Sequence, residues 1–149
     1  MGKLTTFLAL DRRDRLWTLE ALWSLALAQA MVRLVPPRNW RDRFDPLGGA
    51  TATGSTAPAL LEPIRRVRLA IARAARNIPT DPNCLPQALA ARRMLLRRGI
   101  GSSLFIGVER DSDGPRRFHA WLKVGPEWVT GLCEEDRYSL LRPGDGARA

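Results

Sequence analysis

Cys84 and His119 are the residues of this chain whose types could carry out covalent chemistry together. Cys84 stands in DPNCLPQALAARRMLLRRGI, and His119, the only histidine, stands in RRFHAWLKV. A thiol attacks a carbonyl as its thiolate, and a helix N-terminus or a nearby imidazolium favours that form. An imidazole can accept the thiol proton and later return a proton to a leaving amine. The two residues predict one nucleophilic site if folding brings them together, and are ordinary packing residues if it does not.

The segment around the cysteine predicts a helix that begins at about Cys84 or Leu85. The residues TDPN break the chain before it, and Pro86 is tolerated because first-turn amides have no partner inside a helix. Gly99 is a plausible C-terminal cap. Free backbone amides and the positive end of the helix dipole would then point at the sulfur and could hold an oxyanion.

The histidine segment belongs to a region where the apolar period changes from 3.6 to 2. SSLFIGVER and RFHAWLKV predict two strands joined by the turn DSDGP, and VGPEW predicts a tight turn into a third strand, EWVTG. A three-stranded antiparallel meander is therefore expected. A strand would hold the imidazole rigidly, as a general base requires.

Two further helices are predicted upstream of the cysteine. Residues 16–35 form the most apolar stretch, but Glu20, Gln29 and Arg33 favour a packed helix over a membrane span. A second helix is expected over 58–77, although Pro63 allows a regular helix to begin only there. The apolar stripe of this second helix comprises Leu60, Leu61, Ile64, Val67, Ile71 and Ala74.

These elements predict an α+β fold, with N-terminal helices followed by a small antiparallel sheet, in a single domain over 1–149. Within it we expect an N-terminal apolar helical part over 1–40, a flexible Gly/Thr/Ser-rich loop over 41–57, a core over 58–141 and a disordered tail over 142–149.

The amino-acid composition limits the kinds of binding partner and the cellular compartment that we expect. A net charge of +9 predicts attraction to an acidic peptide, an anionic membrane or a nucleic acid. The arginines fall at helical spacing, which is typical of a solvated helix face, and no nucleic-acid signature accompanies them. The two cysteines allow one disulfide, but no signal peptide is apparent, so reduced thiols in the cytoplasm are expected. One histidine and two distant cysteines make a poor zinc set, so no metal is expected.

The sequence resembles a known family at this point. CLPQALAARRMLLRRGI, then LFIGVER, then FHAWLKVGPEWVTG, looks like the lasso-peptide leader peptidases, which are transglutaminase-like cysteine proteases with a papain-like core. The resemblance covers about residues 58–141, and the N-terminal helical segment is also similar to that of the family. It implies Cys84 as nucleophile and His119 as general base and acid, with no cofactor assigned and nucleotide dependence left open.

The third catalytic residue departs from the family pattern. In several relatives an acidic residue lies 12 positions beyond the histidine, where this chain has Gly131. The nearest acidic residues downstream are Glu134, Glu135 and Asp136. Glu134 is the candidate because it is closest along the chain. Thr130 as the orienting group, or a Cys-His dyad with a weak orienting group, are the alternatives.

The resemblance implies removal of the leader from a ribosomally made precursor peptide, freeing the core N-terminus for macrolactam formation by a partner lasso cyclase. No winged-helix recognition domain is apparent in the first 57 residues, so a stand-alone peptidase with a separate leader-recognition protein is implied. The alternatives are a transglutaminase-like acyltransferase or amidase on another substrate, and a non-catalytic basic adaptor for peptide, membrane or nucleic acid.

Overall fold

A computed structural model describes residues 7–36, 56–79, 83–110, 114–115 and 117–141. Within them, three helices are followed by a four-stranded antiparallel sheet, which confirms the predicted α+β class. The predicted loop over 41–57 lies outside the described residues except for 56 and 57, and the predicted disordered tail over 142–149 lies wholly outside them.

The helices have nearly the predicted bounds. Helix α1 spans Arg12–Leu34, α2 spans Pro58–Asn77 and α3 spans Cys84–Leu96. The suggestion that α2 becomes regular only at Pro63 is wrong, because the helix runs from Pro58 with Pro63 inside it. Leu60 before that proline packs against the core, and Ile64, Val67, Ile71 and Ala74 after it are buried in the core, whereas Leu61, predicted in the same stripe, is 43% exposed.

The cap of α3 has the geometry that its sequence predicts. Gly99 has a φ of +68°, a left-handed conformation that glycine adopts without steric cost. The amide of Ile100 donates to the carbonyl of Leu95 at 3.0 Å, so the chain turns sharply out of the helix. The sheet begins a few residues later.

The sheet has one more strand than the sequence predicts. Strands β1 (Ser103–Glu109), β2 (Phe118–Val124) and β3 (Glu127–Thr130) form the expected meander. A fourth strand, β4 (Tyr138–Leu140), pairs with β1, so the order is β3-β2-β1-β4. Three residues are too few for alternation to be visible in the sequence, and β4 is a strand because β1 offers it a free edge.

The main core lies between the helices and one face of the sheet. Helix α3 packs against α1, α2 and strands β1 to β3. The buried side chains of this layer include Leu25, Ile64, Ile71, Met94, Leu95, Leu104, Leu122 and Val124. In the described part of the chain, no helix is long and apolar enough to cross a membrane.

Acidic residues of α1 bind arginines of α2 and of the turn that follows α3. Asp14 pairs with Arg66 at 3.1 Å and with Arg73 at 3.5 Å, both on α2. Glu20 pairs with Arg98, just beyond α3, at 2.6 Å. Part of the arginine content predicted as a solvated face therefore ties the helices together.

Candidate active site

Cys84 is the first residue of α3. Asn83 precedes it as the N-terminal cap without a side-chain capping hydrogen bond, and the Cys84 side chain is half-buried. The amides of Cys84 and Leu85 have no acceptor inside the helix, and Pro86 has no amide hydrogen. Two backbone donors therefore remain beside the thiol, in the arrangement that stabilises a thiolate or an oxyanion.

His119 is the second residue of β2, and its ring is held by three contacts. Nε2 lies 2.9 Å from the carbonyl oxygen of Gly131. The ring stacks on Trp121 at 5.9 Å between centroids, and Tyr138 lies 5.4 Å away. The imidazole is thus fixed by one polar and two aromatic neighbours, while its other nitrogen, Nδ1, has no hydrogen bond in the described structure.

The two faces of the sheet carry different side chains. Leu122 and Val124 of β2 join the core beneath the helices. Side chains alternate along a strand, and the Trp121 ring stacks instead on Phe105, 5.7 Å away between centroids. The rings of Phe105, His119, Trp121 and Tyr138 therefore form a cluster, which we call the ring face, on the side of the sheet opposite the helices.

Helix α3, which carries Cys84, packs on the face of the sheet opposite the ring face that holds His119. Strand β1 starts at Ser103, which pairs with Lys123, whereas His119 pairs with Gly107 near the other end. Helix α3 is about 20 Å long, and residues 97–102 join it to the Ser103 end of β1. The thiol and the imidazole are not joined by a hydrogen bond among the described residues, so their pairing stays a prediction.

The segment 131–137 crosses the ring face. It leaves β3 at one edge of the sheet and reaches β4 at the other edge. Glu135 anchors it, because the indole nitrogen of Trp121 donates to its Oε1 at 3.0 Å and Lys123 Nζ lies 3.1 Å from its Oε2. This segment covers Trp121, which is buried.

The candidate third residues lie in different environments. Glu134 is exposed and pairs with Arg137 at 3.7 Å, and it has no hydrogen bond to His119 among the described contacts. Thr130 pairs with Leu122 at the register shift between β2 and β3, and its buried hydroxyl has no partner within the described structure. Of the candidate region, it is Gly131 that contacts the imidazole. Which residue acts as the third member stays a prediction.

The second thiol has a different electrostatic setting. Partial burial and the Glu135 carboxylate raise the pKa of Cys133, and Lys123 opposes this shift. A raised pKa lowers the thiolate fraction at neutral pH, so Cys133 is the less suitable nucleophile. Both cysteines are free, and they form no disulfide with each other.

Comparison with known protein families shows which superfamily the chain belongs to. A model of the transglutaminase-like superfamily matches residues 21–142. The chain belongs to this superfamily. Its transglutaminase-like core includes α3, with Cys84, and the whole sheet, with His119. No curated protein and no solved structure matches. The superfamily typically includes cysteine peptidases and acyltransferases.

Three contacts of the transglutaminase-like site are not predicted by the sequence analysis. In the sequence analysis, Gly131 is named only as the position that lacks an acid, and Trp121 is included only as part of a motif. Tyr138 is not mentioned there. The spacing of 12 residues between His119 and Gly131 was visible, but spacing alone does not show that a backbone carbonyl reaches the ring.

Proposed function

We propose that this chain is a cysteine peptidase that removes the leader from a lasso precursor peptide, with Cys84 as nucleophile and His119 as base and acid. The observation that carries the proposal is the position of Cys84 at the first residue of the helix that packs on the His119 strand, within the transglutaminase-like region. The resemblance of the two segments to lasso-peptide leader peptidases supplies the substrate class.

The proposed reaction needs only the Cys84 thiol, the His119 imidazole, two backbone amides and water. The Cys84 thiol loses its proton to Nδ1 of His119, and its sulfur attacks the carbonyl carbon of the scissile peptide bond. The amides of Cys84 and Leu85 stabilise the resulting oxyanion. Collapse breaks the C–N bond, and the imidazolium gives its proton to the leaving amine, which becomes the N-terminus of the core peptide.

Hydrolysis of the thioester completes the cycle. Water gives a proton to the imidazole and attacks the thioester carbonyl, and the leader leaves as a carboxylic acid while the thiol is restored. If an amine attacks in place of water, the same thioester gives an amide, which is the acyltransferase alternative. The two outcomes differ in product mass.

Catalysis requires the imidazole and the thiol to approach each other when substrate binds, since no hydrogen bond joins them in the free protein. Catalytic hydrogen bonds are often long or poorly aligned in free enzymes and tighten in the substrate complex. Because α3 packs on one face of the sheet and the His119 ring lies on the other, the proposal requires the thiol and the imidazole to meet around an end or edge of the sheet.

The experiment incubates the chain with a synthetic lasso precursor peptide, with and without a leader-recognition protein and a lasso cyclase. Mass spectrometry should show a free leader acid and a core with a free amine. The variant Cys84→Ala should lose cleavage by roughly 10³-fold or more, whereas Cys133→Ala should retain it. Cleavage by purified, folded Cys84→Ala would end the proposal, and an amide product would replace it with the acyltransferase.

A further inference from the structure

We propose that the backbone carbonyl of Gly131, rather than a carboxylate, orients the His119 imidazole for proton transfer. The inference rests on the proposed function for its catalytic meaning, but the orientation itself is measured without any activity. Gly131 is a positioning residue in this account, since it acts through His119.

The contact determines the tautomer of the ring. A carbonyl oxygen has no hydrogen to donate, so Nε2 of His119 must be the donor across the 2.9 Å separation. A neutral imidazole with its proton on Nε2 has an unprotonated Nδ1, which can accept a thiol proton. The role usually given to an acidic side chain, holding one tautomer, is thus supplied by the main chain.

The ring is also held against rotation. Trp121 stacks on it with an interplanar angle of 24°, and Tyr138 packs at 31°. A 180° ring flip would exchange Nε2 with Cε1 and Nδ1 with Cδ2, and would lose the hydrogen bond to Gly131. The aromatic contacts and the carbonyl therefore act together on one orientation.

A side chain at position 131 has no room. Gly131 has a φ of +72°, and a Cβ there would collide with the carbonyl oxygen of Ala120 and lie 2.9 Å from Cα and Cβ of Trp121. An aspartate placed at 131 would thus move the strand that carries His119. The proposal predicts that Gly131→Asp lowers activity, whereas a site that merely lacks its carboxylate would gain activity from it.

The single histidine makes the central test unambiguous. With ¹⁵N-labelled histidine in this chain, a long-range ¹H–¹⁵N spectrum shows one pair of ring nitrogens, which report the tautomer directly. At a pH where the imidazole is neutral, we expect the Nε2–H form to dominate. A dominant Nδ1–H form, or averaging between the two forms, overturns the proposal.

Two variants separate this role from a general effect of losing glycine. Gly131→Ala should shift the tautomer population toward averaging and lower kcat/KM for precursor cleavage by roughly 10²-fold. Gly99→Ala is the matched control, because Gly99 also has a positive φ (+68°) but a Cβ there would meet nothing within 4 Å. It should leave the tautomer unchanged. An unchanged tautomer in folded Gly131→Ala contradicts the proposal, and the wild-type spectrum decides alone if that variant does not fold.

Failures of the two proposals are distinguishable. An Nε2–H tautomer together with cleavage that survives Cys84→Ala removes the peptidase mechanism but leaves the orientation of His119 established. Cleavage that depends on Cys84 together with an Nδ1–H tautomer supports the peptidase mechanism but removes the proposed role of the Gly131 carbonyl. Glu134 is then the candidate orienting group.

Discussion

The indole N–H of Trp121 donates to the carboxylate of Glu135 across 3.0 Å, and this bond fastens the segment 131–137 to the sheet. The segment begins at Gly131, whose carbonyl contacts the imidazole of His119. The conformation of the ring face therefore depends on Glu135, which is not one of the proposed catalytic residues.

Trp121→Phe should destabilise the protein by about 1.5–3 kcal/mol, because it removes a hydrogen bond to a charged acceptor. Urea denaturation followed by circular dichroism measures the change. Trp128→Phe is the control, since Trp128 lies at the same face under the Lys123 ammonium but has no hydrogen bond from its indole in the described contacts. Equal losses in the two variants would mean that ring volume, not the anchor, accounts for the effect.

Alkylation of Cys84 with iodoacetamide should change the ring ¹⁵N shifts of His119, because the two groups must come within reach for catalysis. Mass spectrometry confirms the labelled site. In the Cys84→Ala protein the same treatment labels Cys133 alone and should leave the ring shifts nearly unchanged. Identical His119 spectra before and after Cys84 labelling would show that the thiol and the imidazole do not meet.

Cys133 should react with iodoacetamide more slowly than a free cysteine at the same pH. Its pKa is raised, so its thiolate fraction is lower at any pH below that value, and the rate rises as the pH approaches it. Glu135→Gln removes a carboxylate that raises this pKa and should speed the reaction, whereas Lys123→Met should slow it. Rates in Cys84→Ala protein, measured from pH 7 to 10, test both signs.

Glu20→Gln should reduce stability by about 1–3 kcal/mol. The Glu20 carboxylate is mostly buried and receives two bonds from the Arg98 guanidinium, which also covers the Trp17 ring at 3.7 Å. Glu62→Gln is the control, because Glu62 pairs with Arg66 at a position that is 56% exposed and should cost under about 0.5 kcal/mol. Thermal and urea denaturation of the three proteins give the comparison, and a loss at Glu62 equal to that at Glu20 would contradict it.

Gly107→Ala should destabilise the sheet by about 1–3 kcal/mol, since the added methyl would lie 2.8 Å from Cβ of Tyr138 and 3.1 Å from the Trp121 ring. Gly101→Ala should be nearly neutral, because nothing lies within 4 Å of its Cβ position. Denaturation midpoints test the pair. A neutral Gly107→Ala would show that β4 can move away from β1 without loss.

Local patterns were sufficient for the elements that hold the two reactive residues. A breaker, a proline in the first turn and a glycine cap delimit α3, and alternation delimits β2. These signals are encoded within a few residues of each element, because helix ends and strand periodicity depend on neighbouring side chains and backbone conformations. The same reasoning misjudged Pro63, whose helix is stabilised by packing against the core.

The sequence by itself determined which residues could react and on which elements they lie: a thiol at a helix start and an imidazole in a strand. Only the tertiary structure decided what holds that imidazole. The register of β2 and β3 shifts between Leu122 and Lys123, and the positive φ of Gly131 then turns its carbonyl toward the ring. Tyr138 reaches the ring because segment 131–137 crosses the sheet to form β4. Such contacts join residues distant in the chain, so no local pattern of side chains encodes them.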